Sequence, residues 1–234
     1  MKRVLFCLAA FALVLVASAP VRAGVIGVTS RAALAGTDYV EWGTNIPTST
    51  TQPVSWTATS NLGAPVGVTH GNPSGTFYGL QQSFGGWSGN FAPGDNLLYN
   101  GAAFTGQRGS VTLSFATPVA AVGAQIQSDF YGAFTATLSA FDSQGNQIFT
   151  ESGVSNGNAD NSAIFLGVAS TLADISSIVY STVDMSGNAQ DDDFAINRLD
   201  FRAQPLGVPE PASIALLGIG ALSMIGYRLK KRKS

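Results

Sequence analysis

The sequence contains one cysteine, one histidine and only 11% charged residues. The cysteine, Cys7, lies in an apolar N-terminal segment that we expect to be removed, so we expect no disulfide and no thiol chemistry in the mature chain. Because His70 is the sole histidine and we expect no cysteine in the mature chain, most His-rich zinc sites and Cys–His catalysis are ruled out. A Ser-His-Asp triad would have to use His70, which lies beside a predicted turn. These absences favour a protein that is not an enzyme, and no catalytic residue is assigned.

The first residues have the pattern of a secretory signal peptide, which we place at 1–23. A basic start that includes Lys2 precedes an apolar stretch at 4–17, and small residues occupy the positions that signal peptidase requires. We predict cleavage after Ala23 rather than after Ala19, because a proline would follow the second cut. The segment therefore predicts export through the Sec machinery.

Another apolar segment lies near the C-terminus, at 212–227, and a basic tail follows at 228–234. At about 1.5 Å per residue it forms a helix of about 24 Å. That is short for a hydrocarbon core of about 30 Å, but snorkelling and local thinning allow it to span. Basic residues stay on the cytoplasmic side, so the chain between the two apolar segments is predicted to lie outside the inner membrane. The anchor residues are Ile214, Leu216, Leu217, Ile219, Leu222, Ile225 and Tyr227, and the basic stop is Arg228, Lys230, Lys231, Arg232 and Lys233.

A Pro-Glu-Pro signature precedes this helix, within a linker at 205–211, and its prolines prevent the helix from extending upstream. The signature, one hydrophobic helix and a basic tail occur in this order at the extreme C-terminus. This arrangement resembles the PEP-CTERM sorting signal of Gram-negative bacteria. The resemblance implies that a membrane-embedded exosortase processes the exported protein, which then reaches the cell surface or the medium. The sorting residues are Val208, Pro209, Glu210, Pro211, Ala212 and Ser213.

Residues 24–204 form one predicted domain of unusual charge. The domain contains no lysine, and four arginines stand against thirteen carboxylates, which leaves a net charge of −9. Such a domain repels nucleic acids and acidic polymers, so a role in nucleic-acid binding is excluded. Its arginines are Arg31, Arg108, Arg198 and Arg202.

The domain shows the pattern of short strands joined by turns. Apolar and polar residues alternate at 110–115 and 134–141, and a turn rich in Gly and Asn at 142–146 predicts a hairpin. No stretch shows a sustained apolar period near 3.6, so we predict little helix. The pattern predicts an all-β fold, an antiparallel two-sheet β-sandwich of jelly-roll type. Further strands are predicted at 119–127 (opened by Pro118), 147–151, 163–167, 177–183 and 193–202, the last either with a bulge near Asn197 and Arg198 or buried on both faces.

Several core segments of this domain resemble those of β-sandwich ectodomains often found upstream of PEP-CTERM tails. They include Asn90-Phe91-Ala92-Pro93-Gly94-Asp95, Val111-Thr112-Leu113-Ser114-Phe115 and Phe194-Ala195-Ile196-Asn197. These ectodomains are similar in outline to lectin-like and carbohydrate-binding jelly rolls. Such relatives often have Asp-Asn or Asp-Asp where this chain has Asn197-Arg198, so the resemblance implies a fold and no ligand role at that position.

Calcium is the one cofactor that the sequence suggests, as a structural ion. Asn156, Asn158 and Asp160 place oxygen side chains at i, i+2 and i+4, as the start of a calcium loop does. Asn161 stands where such a loop has glycine, and an ordinary polar loop is the alternative. A second acidic group, Asp191, Asp192 and Asp193, is a further candidate for binding a cation, with a solvated strand entry as its alternative.

A glycan contact is suggested by Trp87, which lies in a glycine-rich stretch at 83–90 rather than in a periodic strand. A flat aromatic face on the surface can stack on a sugar ring, whereas most aromatic residues of a β-sandwich belong to its core. Trp42 and Trp56 are predicted to be half-buried strand residues.

The sequence is compatible with three functions. The leading one is a non-catalytic cell-surface or matrix protein associated with exopolysaccharide, because exopolysaccharide production accompanies the resembling systems. The second is an exported hydrolase on the same scaffold that acts through a carboxylate pair or His70 on polysaccharide or ester. The third is an ice-binding or adhesion protein. Ice binding would need a regular Thr-x-Thr array, and the sequence shows only short pieces such as 48–51 and 135–137.

Overall fold

Two antiparallel β-sheets pack face to face, which confirms the predicted β-sandwich. The computed structural model describes residues 24–82, 91–101, 108–129, 132–157, 163–184 and 193–205. In these ranges one sheet has nine strands and the other six. The nine-stranded sheet contains β1 (Val25–Val28), β2 (Asp38–Val40), β3 (Thr51–Gln52), β6 (Phe77–Gln81), β7 (Asn96–Tyr99), β9 (Ala121–Ser128), β12 (Ile164–Ser170), β14 (Phe194–Ile196) and β15 (Leu199–Arg202).

The six-stranded sheet has the order β11-β10-β13-β8-β5-β4. Its strands are β4 (Ser55–Thr59), β5 (Pro65–His70), β8 (Val111–Val119), β10 (Ala133–Phe141), β11 (Gln147–Asn156) and β13 (Ile175–Asp184). The predicted hairpin is confirmed, since β10 and β11 pair across the turn at 142–146. In that turn the carboxylate of Asp142 accepts from Asn146, a contact that lowers the pKa of Asp142.

Helices are short in the part of the chain described, as predicted. Helix α1 (Arg31–Leu34) begins where the Ser30 hydroxyl accepts from the N–H of Ala33, and it ends at Ala35 with φ of 51°. Helix α2 (Trp42–Asn45) is equally short. Within the described ranges, no helix has the length and apolar character needed to cross a membrane. The predicted signal peptide, with its cleavage point at Ala23, and the predicted anchor lie outside those ranges.

Alternate side chains of each strand fill the space between the sheets. In β10, for example, Phe134, Ala136 and Leu138 are fully buried, and each residue between them is half-buried. Burying a side chain of the size of Leu or Phe stabilises the fold by about 1.5–3 kcal/mol. The largest buried side chains are Trp42, Tyr180, Phe77, Phe134 and Phe194.

Tyr180 of β13 connects the two sheets. Its hydroxyl donates to the carbonyl of Leu166 at 2.7 Å and accepts from the N–H of Ala124 at 2.9 Å. Leu166 and Ala124 are paired neighbours in β12 and β9 of the opposite sheet. Burial raises the pKa of Tyr180, so the hydroxyl remains neutral and keeps both hydrogen bonds.

The last predicted strand is interrupted between β14 and β15, and both parts pair with β9. Ile196 lies opposite Ile126, and Asp200 lies opposite Gly123. Four steps along the last strand therefore match three steps along β9, which is a one-residue β-bulge. The predicted bulge at this point is confirmed, and so is the alternative, because every residue of β14 and β15 is buried.

Three local predictions were wrong. Trp42 is not a half-buried strand residue; it begins α2 and is fully buried, and its indole N–H donates to the carbonyl of Asn197 at 2.8 Å. Pro118 is the second-last residue of β8 instead of opening the next strand; the pairing with β13 shifts register between Ser114 and Val119, where a residue without an N–H is tolerated. Strand β11 continues to Asn156, since its partner β10 is almost as long. Trp56, by contrast, is a half-buried strand residue as predicted.

Candidate functional site

A buried polar network lies at the bulge and centres on Asn197, which is 1% exposed. Its Oδ1 accepts from Arg31 Nη2 and from the backbone N–H of Gln125, each at 3.0 Å. Its Nδ2 donates to Asp95 Oδ2 at 2.8 Å and to Gln125 Oε1 at 2.7 Å. The side-chain amide therefore uses all of its hydrogen-bonding capacity. The network ties α1, β9 and the loop before β7 to the last strands.

Three of the four arginines of the domain are engaged around this network. Arg31 Nε donates to Asp200 Oδ2 at 2.5 Å, and Arg198 Nη2 lies 2.9 Å from Asp200 Oδ1. Arg198 also stacks over the ring of Tyr39, with 4.7 Å from its guanidinium carbon to the ring centroid. Arg202 donates to carbonyls at the end of α1, and burial lowers its pKa. These cations hold α1 and β15 together, so we interpret them as structural.

His70 ends β5 and is 3% exposed. Its Nδ1 accepts from the N–H of Asn72 at 3.0 Å, which leaves Nε2 as the protonated nitrogen that donates to the carbonyl of Asn100 at 2.7 Å. The ring also packs against Phe77, with 5.3 Å between centroids. Since both nitrogens are occupied and the ring is buried, His70 connects the two sheets and is not placed to accept a proton from a substrate.

Replacing His70 with alanine is expected to lower the free energy of unfolding by about 3 kcal/mol, because it leaves a cavity beside Phe77 and removes the hydrogen bonds to the N–H of Asn72 and the carbonyl of Asn100. Urea unfolding of the purified protein, followed by tryptophan fluorescence, measures this loss. His70→Gln, which restores part of the hydrogen bonding, is expected to lose less. A His70→Ala protein that unfolds within about 0.5 kcal/mol of the wild type would contradict the structural role.

The pattern Gly-x-Ser-x-Gly, typical of the nucleophile elbow of α/β-hydrolases, occurs at 153–157. Its serine, Ser155, lies within β11 and pairs with Phe134 of β10. A nucleophile elbow is a sharp strand-to-helix turn, whereas β11 is an antiparallel strand. The structure therefore does not present this pattern as an elbow.

A second polar cluster lies at one end of the sandwich, where Asp193 precedes β14. The backbone N–H of Asp129 donates to the carbonyl of Asp193 at 3.0 Å, and Arg108 Nε lies 3.6 Å from Asp193 Oδ2. The hydroxyl of Tyr99 donates to Asp129 Oδ2 at 3.0 Å. Burial, and then the charges of Asp129 and Asp193, raise the pKa of Tyr99, so its hydroxyl stays protonated.

The predicted cation ligands fall partly within the described chain. Asp193 belongs to the cluster just described, and Asn156 is the exposed last residue of β11. Asn158, Asp160, Asp191 and Asp192 lie outside the described residues. Among the residues that are described, no group of three or more His, Cys, Asp or Glu could hold a metal ion. Structural calcium therefore stays a prediction, as does the glycan contact of Trp87, which also lies outside the described ranges.

Comparison with known proteins gives one functional result. Residues 207–233 match the family model of the PEP-CTERM protein-sorting motif. The match covers the signature, the apolar segment and the basic residues on which the predicted sorting signal was based. The chain therefore carries a PEP-CTERM sorting signal, which implies an exported protein that an exosortase processes.

The remaining comparisons do not indicate an activity for this protein. A crystal structure of a DUF4465 family protein from Bacteroides caccae is similar with a TM-score of 0.39 and 10% sequence identity, covering 76% of this chain and 100% of that chain. No curated protein matches the chain. The β-sandwich is established by the strand pairing of the protein itself.

Proposed function

We propose that the protein is a non-catalytic component of the cell surface or extracellular matrix that associates with exopolysaccharide after an exosortase has processed its C-terminus. The observation that carries the proposal is the PEP-CTERM motif at 207–233. Before processing, the signal peptide and the basic tail give a single-pass protein in the inner membrane with its C-terminus in the cytoplasm. Its other partners are then the Sec machinery and the exosortase.

The buried polar groups of the described domain make structural contacts, which favours a non-catalytic role. His70 is buried with both nitrogens hydrogen-bonded, and the side-chain amide of Asn197 makes all of its hydrogen bonds within the protein. Asp200, the carboxylate at the centre of the arginine cluster, is held by two cations. Groups that are committed to internal contacts hold a scaffold rigid but are not available to move protons.

The charge of the domain also limits the kind of polysaccharide that it can bind. With a net charge of −9 and no lysine between 24 and 204, the domain repels acidic polysaccharides at low salt. A neutral exopolysaccharide meets no such repulsion. We therefore favour a neutral polymer as the matrix partner.

The sorting part of the proposal is tested by the C-terminus of the protein in each cell fraction. Mass spectrometry is expected to find Ser234 in the inner membrane and a new C-terminus close to Glu210 in the outer fraction or the medium. The N-terminus of both forms is expected to be Gly24. Finding the uncut chain in the outer fraction would refute exosortase processing, and finding it free in the cytosol would refute export.

A further inference from the structure

The outer face of the six-stranded sheet carries a line of hydroxyl groups with one interruption. Strand register places one residue of each strand opposite the next, and we name these six positions the hydroxyl row. Five of the six side chains bear a hydroxyl, and the sixth is a valine. In order across the sheet they are Ser55, Thr69, Thr112, Val179, Ser139 and Thr150.

The hydroxyl row faces away from the core and is accessible. Ser55, Thr69 and Thr150 are exposed, and the three central members are half-buried by their neighbours on the sheet. Hydroxyl pairs bond across the strands, with 3.3 Å between the oxygens of Ser55 and Thr69 and 3.1 Å between those of Ser139 and Thr150. These contacts restrict the rotamers of four of the six side chains, which lowers the entropy cost of binding a ligand, while either oxygen of each pair can be the donor.

The rows on either side are also uncharged and rich in hydroxyl groups. One contains Thr57, Gly67, Ser114, Ser177 and Phe141, and the other contains Ser181, Thr137 and Ser152. No ionisable side chain occurs in these rows or in the hydroxyl row, although the domain as a whole has a net charge of −9. This face is therefore a place where a neutral polymer can approach without desolvating a charge.

The chemistry of the hydroxyl row fits a neutral saccharide. Each Ser or Thr hydroxyl both donates and accepts, as sugar hydroxyls do, so either partner can rotate to complete a bond. The methyl groups of threonine and the side chain of Val179 provide apolar contact for the C–H groups of a sugar ring. Five strand spacings of about 4.8 Å give the row a length of about 24 Å, enough for several sugar units in line.

The shape of the face favours a flexible polymer over a rigid lattice. Neighbouring strands are rotated by about 20–25°, so the hydroxyl groups follow a twisted line. A polysaccharide chain can turn with this line, whereas a flat ice surface would meet only a few of the groups at once. We infer that the hydroxyl row is the docking surface for a chain of neutral polysaccharide, an inference that rests on the proposed matrix function.

The test uses the purified full-length protein in a detergent that has no sugar headgroup. The probes are hydroxyethyl cellulose, which is neutral, and carboxymethyl cellulose, which has the same backbone with negative charge. Binding is measured by isothermal titration calorimetry. We expect the neutral polymer to bind and the anionic polymer to bind at least tenfold more weakly.

Variants then locate the site. Thr69→Val, Thr112→Val and Ser139→Ala, combined, retain side-chain shape and strand preference, and we expect them to weaken binding of the neutral polymer about tenfold or more. Val179→Thr completes the row and is expected to strengthen binding about threefold. The matched control combines Thr48→Val, Thr51→Val and Ser74→Ala, exposed hydroxyls that are not on the strands of this sheet, and is expected to bind as the wild type does.

Each contrary outcome has a separate meaning. Undiminished binding by the triple variant, with loss of binding in Trp87→Ala, would overturn the hydroxyl row as the site and leave the matrix function standing. Failure of the wild type to bind the neutral polymer would overturn both the row and the polysaccharide partner, while the processed C-terminus would still establish the sorting route. Inhibition of ice recrystallisation that the triple variant loses, without polymer binding, would overturn the saccharide in favour of ice.

Discussion

Replacing Asn197 with leucine is expected to lower the free energy of unfolding by about 3–5 kcal/mol. Leucine has nearly the same size, but it can make none of the four side-chain hydrogen bonds of the amide. The backbone N–H of Gln125 and the carboxylate of Asp95 would each lose a partner beside the sheet. Such unsatisfied groups cost more than the hydrogen bonds themselves contribute, because they have already lost their contact with water.

Urea unfolding of the purified protein measures this loss. Tryptophan fluorescence is a suitable signal, since the indole of Trp42 donates to the carbonyl of Asn197. Asn61→Leu is the matched control, because Asn61 lies at the surface and its side chain accepts only from the hydroxyl of Tyr39. The control is expected to change stability by less than about 1 kcal/mol. If Asn197→Leu were no more destabilising than Asn61→Leu, the network would not hold the bulge together.

The bulge itself could be predicted from the sequence, but its network could not. A change of apolar parity on either side of Asn197 indicates either one residue out of step or a strand buried on both faces. The partners of that residue come from distant parts of the chain, since Arg31 lies 166 residues before Asn197. Gln125 and Asp95 have no feature in their local sequence that distinguishes them from other surface residues. Only the pairing of β9 with both final strands brings the set together.

The same contrast applies to the strands. Long alternating segments such as β8 and β10 were predictable, because the alternation of apolar and polar residues repeats several times in each. Strands before residue 82 other than β5 are two to five residues long, which leaves few positions to show an alternation. The burial of His70 could have been inferred, since it shares parity with Val66 and Val68 in β5. The hydroxyl row needed the register of six strands, which no single strand specifies.

Removing the sorting segment is expected to have the largest effect on where the protein is found. A chain that ends at Gln204 keeps the signal peptide and the described β-sandwich but lacks the motif at 207–233. We expect it to be exported and then released without membrane retention, so that the amount on the cell surface falls about tenfold or more. The reason is that the apolar segment and the basic residues behind it supply an anchor that a soluble domain cannot replace.

A second variant separates anchoring from recognition. Replacing Pro209, Glu210 and Pro211 with alanine leaves the apolar segment and the basic tail unchanged. This protein is expected to remain in the inner membrane with Ser234 still present, because the anchor holds while the exosortase lacks its signature. Fractionation with immunoblotting against the β-sandwich, together with mass spectrometry of the C-terminus, distinguishes the two variants. If the shortened chain reached the cell surface as efficiently as the wild type, the information that directs the protein there would have to lie within residues 24–204. The sorting segment would then be only a membrane anchor.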